Sequence, residues 1–507
     1  MPSPLARKLF TKDGKPVDNN NPLPVQTQAQ VTAFNELSIA EPSPIVQVHF
    51  PYNINADIIK TRNNKGTTTI VNNKAHMATG AGANQSASIL TMTPVKYNPG
   101  QGGMVRFTAL YTAGVADSTQ WVGIGNSTDG YFFGFNGTDF GILRRQGGLP
   151  EVRRLTITTK STDADSITIT LNGQTKAVTV TDATATDVTT TANEIAAADF
   201  SDVGEGWEVH AMGDKLFFTS FSTGSKTGTY SLTDATSAVG TFTQSISGTA
   251  ANETFTAQTS WNKDLMDGTG GSGITLDPTK GNVYQIRYQW LGFGDIDYFI
   301  TSAISSTPIL IHRIEYANAN TIASLDNPTL PLCGIAKNTS NTTDIALEIG
   351  SMGGFVEGRD TLPGLPHSVS VEAGGIGTTE TPVLTIHSHD IYQNEINRVK
   401  IKLKRGSISV DGTKPVTIRV RKNAVLTGGS FSALDSNTST IHFDTSATVV
   451  TGGTVIFSSG VSKDGSVEIP FDVLGIEMNS PDFLTISIEA STGNTDTIAT
   501  LSWQELF

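Results

Sequence analysis

The sequence predicts a mainly β protein, with a lectin-like jelly-roll β-sandwich, a small inserted α+β domain and a C-terminal β-sandwich. Only 16% of the 507 residues are charged and 50 are glycine, a composition typical of short strands joined by tight turns. Apolar and polar residues alternate with a period of two over many short segments, as they do in half-buried strands. The chain is also too long for a single hydrophobic core, so we expect several domains.

Composition and turn signals divide the chain into four parts. We expect an extended N-terminal arm over 1–44, a jelly-roll sandwich formed by 45–154 plus 259–360, an inserted domain over 155–258 and a second sandwich over 361–507. The arm is rich in proline, which removes backbone donors and favours extended chain. Its composition leaves two alternatives open, a disordered tail or an arm that becomes ordered against a neighbouring subunit.

The first sandwich is organised around the stretch 261–332, the densest run of aromatic and β-branched residues. Tyr284, Ile286, Tyr288 and Trp290 alternate with polar residues, which is the pattern of a half-buried strand. The alternation resumes after a glycine-containing turn at 292–295, and the segment ILIHRIEY supplies a further strand. We therefore predict a three-stranded meander that points large aromatic side chains into one core.

The inserted domain is predicted from a change of composition and from its set of elements. Roughly a quarter of its residues are threonine, which suits half-exposed strands. Two hairpins, turning at Asn172-Gly173 and at Gly213-Asp214, flank a helix in the segment DVTTTANEIAAADF. The order strand, strand, helix, strand, strand is that of a complete small domain. We expect this domain to project from a loop of the first sandwich.

No catalytic, cofactor or metal site is predicted. Gly268, Gly270 and Gly273 have the spacing G-x-G-x-x-G, but a proline follows where a nucleotide-binding helix would begin, so we assign them to a loop. His387 and His389 share one face of a predicted strand, but the nearby sequence offers no clear third and fourth metal ligand. Structural roles are therefore the favoured interpretation of both histidines.

Charged residues in the predicted loops and strands also favour structural roles. Glycan hydrolysis needs two carboxyl groups that face each other across a cleft, whereas solvation in loops and turns explains five acidic residues, Asp264, Asp267, Asp277, Asp295 and Asp297. Basic residues alternate along two strands, at Lys400, Lys402, Lys404, Arg419 and Arg421. Protection of an exposed sheet edge is the favoured explanation, and a patch facing an acidic neighbour is the alternative.

Charge and composition exclude several classes of partner. The net charge of −13 argues against general nucleic-acid binding and against adsorption to anionic lipid. The single cysteine, Cys333, excludes an intrachain disulfide framework. No segment reaches the roughly 20 apolar residues of a membrane span, and the first residues lack the apolar core of a secretory signal. We therefore expect the protein to be made and folded in a cytoplasm.

Several segments resemble a family of tailed-bacteriophage virion structural proteins. They include AFNELSIAEP at 33–42, VKYNPGQG at 95–102 and SWNKDLMDGTGGSGITLDPTKGNVYQIRYQWLGFGDIDYFI at 260–300. The resemblance implies a non-enzymatic component of a virion, whose partners are other virion proteins and further copies of this chain. It brings no catalytic residues, and it does not fix a place in the head, collar, tail or baseplate.

The alternative function is that of an adhesin or receptor-binding protein that recognises a bacterial surface glycan. It rests on aromatic residues in the first sandwich, because sugar faces stack on exposed rings. These residues are Trp121, Tyr131, Phe132 and Phe133. Core packing is the commoner fate of aromatic residues in strands. The virion component is therefore the main prediction, and glycan binding is the alternative.

Overall fold

The computed structural model describes residues 42–162, 166–180, 187–234, 237–358 and 364–507. Most of the predicted arm, 1–44, therefore lies outside the described residues, and its last two residues belong to the first strand. Within these ranges, no helix is both long enough and apolar enough to cross a membrane.

The described residues begin with nine strands of the first sandwich. They are β1 (Ser43–His49), β2 (Ile59–Asn64), β3 (Thr67–Val71), β4 (Lys74–Ala78), β5 (Ser86–Thr91), β6 (Gly102–Tyr111), β7 (Ser118–Gly125), β8 (Gly130–Asn136) and β9 (Asp139–Gln146). The alternation in β6 buries Val105, Phe107, Ala109 and Tyr111. Arg106, between two of these residues, points the other way and is exposed.

The insert follows, and its described residues form seven strands and one helix. They are β10 (Pro150–Thr159), β11 (Ser166–Leu171), β12 (Gln174–Thr179), α1 (Val188–Ala196), β13 (Trp207–Met212), β14 (Lys215–Thr223), β15 (Ser231–Thr233) and β16 (Val239–Ile246). Both hairpins turn at the predicted dipeptides, and Asn172 and Gly173 have φ values of 50° and 80°. α1 begins where the Asp187 carboxylate accepts a hydrogen bond from the Thr189 N–H at 2.9 Å.

The chain then returns to the first sandwich. This part contains β17 (Asn252–Ala257), a 3-10 helix (Gln258–Ser260), β18 (Asn282–Tyr288), β19 (Ile296–Thr301), β20 (Pro308–Ile314), β21 (Leu332–Asn338) and β22 (Ala346–Glu357). One sheet has the order β20-β19-β18-β6-β22-β4-β3, with β1 beside β22, and the other has the order β17-β9-β8-β7-β21-β5-β2. The predicted meander thus forms one end of the first of these sheets.

Aromatic side chains fill the space between the two sheets. The fully buried ring of Tyr284 stacks on Phe107, with ring centroids 5.5 Å apart, and lies 4.9 Å from the ring of Phe133. The Tyr111 hydroxyl donates a hydrogen bond to the Phe133 carbonyl at 3.2 Å. These contacts join strands of both sheets, so the meander supplies aromatic side chains to the shared core.

The C-terminal part is a second sandwich. Its elements are β23 (Leu365–Ile376), β24 (Thr381–Ser388), β25 (Ile391–Tyr392), β26 (Glu395–Ile396), β27 (Lys400–Asp411), β28 (Val416–Lys422), β29 (Val425–Thr427), β30 (Ser432–Ala433), β31 (Ile441–Asp444), β32 (Val449–Thr451), β33 (Thr454–Val461), β34 (Ser466–Ile469), α2 (Phe471–Leu474), β35 (Glu477–Met478), β36 (Phe483–Ala490) and β37 (Thr495–Leu506). Its main sheets have the orders β23-β37-β27-β34, with β35 beside β27, and β30-β31-β24-β36-β28-β33. The predicted fold class, mainly β with two sandwiches and an α+β insert, is confirmed.

Two strands depart from the predicted boundaries of the insert, 155–258. β10 begins at Pro150 and contributes Leu155 to the core of the insert, so the sheet of the insert starts before the predicted boundary. β17 pairs with β9 and so belongs to the first sandwich, although its composition predicts the insert. Threonine suits any half-exposed strand, and composition therefore does not reveal which sheet a threonine-rich strand joins.

The insert is held between the two sandwiches, so the prediction that it projects freely from a loop of the first sandwich is wrong. On one side, Asn64 Nδ2 of β2 donates a hydrogen bond to the Gly204 carbonyl of the insert at 2.8 Å. On the other side, Asn193 Nδ2 of α1 donates to the Leu426 carbonyl of β29 at 2.7 Å. The helix also packs on the insert's own core through Ala192 and Ile195. Through these contacts the insert sets the distance between the two sandwiches.

Candidate functional site

The outer face of the seven-stranded sheet carries rows of side chains that run across its strands. One row, in register across β2, β5, β21 and β7, is Arg62, Ser88, Ile335 and Trp121. The row beside it is Asn64, Ser86, Lys337 and Thr119. On the other side, Leu90, Cys333 and Phe132 form an apolar row. One polar row and one row of mixed polar and apolar side chains thus lie beside an apolar row.

The insert covers these rows and turns the sheet face into a groove. The guanidinium of Arg62 lies 5.3 Å from the ring centroid of Phe221, which belongs to β14. Glu205 and Lys226 of the insert also line the groove. Its cavity has a volume of about 340 Å³, and an adjoining cavity of about 170 Å³ continues it toward the second sandwich. We call this space the sheet–insert groove.

Ion pairs fix part of the wall of the sheet–insert groove. Arg145 Nε lies 2.7 Å from Glu253 Oε1, and Lys226 Nζ lies 3.3 Å from Glu205 Oε2. Burial raises the pKa of Glu205, but its hydrogen bond with Ser222 and the charge of Lys226 outweigh burial, so the pKa is lowered. Glu205 is therefore a carboxylate at neutral pH.

A chain of alternating charges joins all three structural units at one end of the groove. Glu208 of the insert pairs with Lys60 and with Arg62 of β2, the latter at 2.7 Å. His210, two residues along β13, lies 3.2 Å from Glu208 and 3.3 Å from Asp390 of the second sandwich. Burial opposes protonation of His210, but Asp390 and Glu208 outweigh burial and raise its pKa to about 9. The histidine is therefore a cation between two carboxylates.

An ion pair between Arg398 and Asp129 joins the two sandwiches directly. Both terminal nitrogens of Arg398 lie 3.2 Å from Asp129 Oδ2, and Nη1 also donates to the Asn327 carbonyl at 3.0 Å. The side chain of Asp129 is 2% exposed and that of Arg398 is 12% exposed. Asp129 Oδ1 accepts backbone N–H groups from Gly147 and Asp326 at 3.0 and 2.9 Å. The carboxylate thus organises the loops against which the second sandwich packs.

The two histidines singled out from the sequence lie in a buried ring cluster. His387 is in register with His442 of β31, stacks on Phe483 at 4.0 Å between ring centroids, and is 1% exposed. The His389 and His442 rings are 4.4 Å apart. Burial lowers the pKa of His387 to about 3 and that of His442 to about 4. In the described ranges no group of three or more His, Cys, Asp or Glu side chains could hold a metal ion.

The glycine-rich segment is a loop, as predicted. Gly268 and Gly273 have φ values of 90° and 64°. A Cβ at Gly270 would lie 2.2 Å from Asp264 Oδ1, so this position leaves room for the carboxylate. Asp264 is buried and accepts two backbone hydrogen bonds within the loop, at 2.9 and 2.7 Å. Its role is to hold the loop together, and solvation does not explain it.

The other acidic residues considered from the sequence also have structural partners. Asp267 and Asp277 each accept hydrogen bonds from the threonine two residues later, which lowers the pKa of both carboxyl groups. Asp295 accepts a backbone N–H at 3.0 Å. Asp297 forms an ion pair with Arg313 across two neighbouring strands, with contacts of 2.5 and 2.7 Å. These groups stabilise turns and strand pairs.

The basic residues of β27 and β28 do not protect a sheet edge, so that interpretation is wrong. β27 lies between β37 and β34, and β28 lies between β36 and β33. Three of these residues form ion pairs within the chain, Lys400–Glu477 at 2.7 Å, Arg419–Glu489 at 2.8 Å and Arg421–Glu380 at 2.7 Å. Acidic side chains of the same sandwich therefore partner these three residues.

The four aromatic residues that suggested glycan stacking are buried. Trp121 is 4% exposed, and Tyr131, Phe132 and Phe133 are fully buried. Tyr131 and Phe133 face the core between the sheets, whereas Trp121 and Phe132 lie on the outer face, where the Trp121 ring packs against Phe255. The four rings therefore form no exposed stacking patch, and Trp121 alone among them lines the sheet–insert groove, where it is nearly covered.

Sequence reasoning did not find the groove. Its residues come from strands and loops that are distant along the chain, and their proximity depends on strand order in the sheet. One local signal was present, because Lys60, Arg62 and Asn64 alternate along β2 and so place three polar side chains on one face. That pattern marks a polar outer face, but it does not reveal the insert that covers it.

Comparisons with protein-family models and with curated proteins found no match. Among solved structures, the chain is similar to the carbohydrate recognition domain of Emp47p, with 8% identity, a TM-score of 0.25, and coverage of 62% of this chain and 93% of that chain. A legume lectin-like domain from Entamoeba histolytica matches with 9% identity, a TM-score of 0.22, and coverage of 62% and 99%. Lectin I-B4 from Griffonia simplicifolia matches with 10% identity, a TM-score of 0.22, and coverage of 61% and 99%. Such scores do not assign the chain to any of these families.

Proposed function

We propose that this chain is a non-enzymatic glycan-binding protein whose ligand lies in the sheet–insert groove. The observation that carries the proposal is the position of one polar row and one mixed row of side chains beneath the insert. A volume of about 340 Å³ is within the range of small-molecule sites, which is about 300 to 1,000 Å³. Hydroxyl and amide side chains on the groove floor, such as Ser88, Asn64 and Thr119, have the chemistry that sugar hydroxyls bind.

The carboxyl groups of the groove support binding without hydrolysis. A glycoside hydrolase needs one carboxyl group that stays protonated as a general acid, together with a second that acts as nucleophile or base. Glu205 and Glu253 both line the groove, but each is in an ion pair with a basic residue. The lowered pKa of Glu205 also opposes the protonated form. This arrangement favours a binding site over a catalytic one.

Filling the groove should abolish glycan binding without unfolding the chain. Thr119 is a half-buried residue of β7 that lines the groove. In Thr119→Trp the ring occupies the ligand volume, and we expect affinity to fall more than about tenfold, which corresponds to about 1.4 kcal/mol. Glycan-array screening of the whole chain identifies a ligand, and calorimetric titration compares the variants.

The matched control is Thr417→Trp, a half-buried threonine of β28 in the second sandwich. It adds the same ring far from the groove and should bind like the unmodified chain. If Thr119→Trp bound equally well while both variants kept the same melting temperature, the ligand would lie elsewhere. If no glycan bound the unmodified chain, the proposed function would be wrong.

A structural place in a bacteriophage virion is our second proposal. It is favoured by the family-like segment 260–300, which supplies the glycine-rich loop, β18 and β19 of the first sandwich. In this proposal the partners are other virion proteins and further copies of this chain. The groove then binds its glycan while the protein is part of the virion. Mass spectrometry of purified particles tests it. Absence of the chain from particles of a phage that encodes it would exclude this role.

A further inference from the structure

We infer that the sheet–insert groove takes an anionic saccharide, one whose sugar units carry carboxylate or phosphate groups. This inference rests on the proposed function and adds the chemical class of the ligand. It follows from a difference between the groove and the rest of the molecule. The whole chain has a net charge of −13, whereas four cationic and two carboxylate side chains line the groove.

Lys337 supplies the part of this positive charge that no ion pair of the described residues balances. It lies in the outer row of β21, beside Ser86 on one neighbouring strand and Thr119 on the other. Across the described residues, Lys337 forms no ion pair. The other three cations already have carboxylate partners, since Arg145 pairs with Glu253, Lys226 with Glu205 and Arg62 with Glu208. Lys337 is therefore the cation whose charge a ligand would balance.

The surroundings of Lys337 match a sugar acid better than a free anion. The ammonium group acts on Glu205 from across the groove, and its charge contributes to the lowered pKa of that carboxyl. One carboxylate thus faces both Lys226 and Lys337, which leaves an excess of one positive charge. Hydroxyl groups of Ser86 and Thr119 flank the lysine and can bind sugar hydroxyls. An anionic group and its sugar ring would then be recognised together.

The test compares charged saccharides with neutral ones of the same shape. Oligosaccharides of galacturonic, glucuronic and mannuronic acid are titrated into the whole chain beside their methyl esters, which keep the ring and lose the charge. A phosphorylated oligomannose beside plain oligomannose distinguishes phosphate from carboxylate. We expect at least one acidic form to bind about tenfold more tightly than its neutral form, because a hydrogen bond to a charged group is stronger than one between neutral groups.

The decisive variant is Lys337→Gln, which keeps a polar side chain of similar length. It should weaken binding of the acidic form about tenfold more than it weakens binding of the neutral form. Lys463→Gln, at an exposed position of the second sandwich, is the control and should change neither. A polyglutamate peptide should not compete, because it has the charge without the sugar.

The outcomes separate this inference from the proposed function. Equal affinity for acidic and neutral forms, unchanged in Lys337→Gln, would overturn the anionic ligand and leave glycan binding in place. Competition by polyglutamate at equal charge would overturn recognition of a saccharide. Failure of every glycan to bind, charged or neutral, would remove the proposed function itself.

Discussion

Replacing Arg398 by methionine is expected to destabilise the folded chain by about 3 to 5 kcal/mol, the usual effect of breaking a buried ion pair from one side. The variant leaves Asp129 buried at the contact between the two sandwiches without its cationic partner. The free energy of unfolding, measured in urea, gives the size of the effect. Intrinsic fluorescence follows the same transition.

Two further variants test whether the effect of Arg398→Met comes from the buried ion pair. Arg405 is 70% exposed and pairs with Glu468 at 3.0 Å, so Arg405→Met should cost no more than about 1 kcal/mol. The double variant with Asp129→Asn removes both charges and should recover part of the loss. If Arg398→Met and Arg405→Met had equal effects, the buried pair would not stabilise the contact between the sandwiches.

Acidification from pH 7 to pH 5 is expected to lower the free energy of unfolding by about 2 kcal/mol through His387 alone. The folded state keeps this imidazole neutral, because burial lowers its pKa to about 3. The unfolded chain takes up a proton near pH 6.5, so stability is full above that pH and falls as the pH drops toward 3. The slope is about 1.4 kcal/mol per pH unit. Unfolding midpoints at each pH measure it.

His387→Phe tests this loss of stability at acid pH, because phenylalanine keeps a ring beside Phe483 and cannot take up a proton. The variant should show a shallower loss between pH 6.5 and 5, whereas His49→Gln, at an exposed histidine, should behave like the unmodified chain. If the free energy of unfolding of His387→Phe fell with pH as steeply as that of the unmodified chain, the loss would not come from His387.

Stability is also expected to fall at alkaline pH, through a different histidine whose pKa is shifted in the opposite direction. The pKa of His210 is raised to about 9 by Asp390 and Glu208 against the effect of burial. Its contribution to stability is therefore complete below pH 6.5 and is lost as the pH rises toward 9. His210→Gln should remove this loss, because glutamine does not titrate.

Local patterns were sufficient for most of the strands, for the two hairpins of the insert and for the helix. The alternation at Tyr284, Ile286 and Tyr288 needs no knowledge of the neighbouring strands, because a strand buries every second residue. The hairpin turn at Asn172-Gly173 is equally local, because both residues take the positive φ values that the turn requires. Asp187 likewise caps α1 through the adjacent backbone.

The groove and the interdomain contacts depend on pairings between residues far apart in sequence. Lys337 lies beside Thr119 because β21 pairs with β7, and no periodicity in either segment specifies that partner or its register. Likewise, β17 joins β9 across the whole insert, and His210 meets Asp390 through the packing of separate units. Side-chain period and turn chemistry act over a few residues, whereas strand order, register and the burial of charge are set by the cooperative packing of the entire chain.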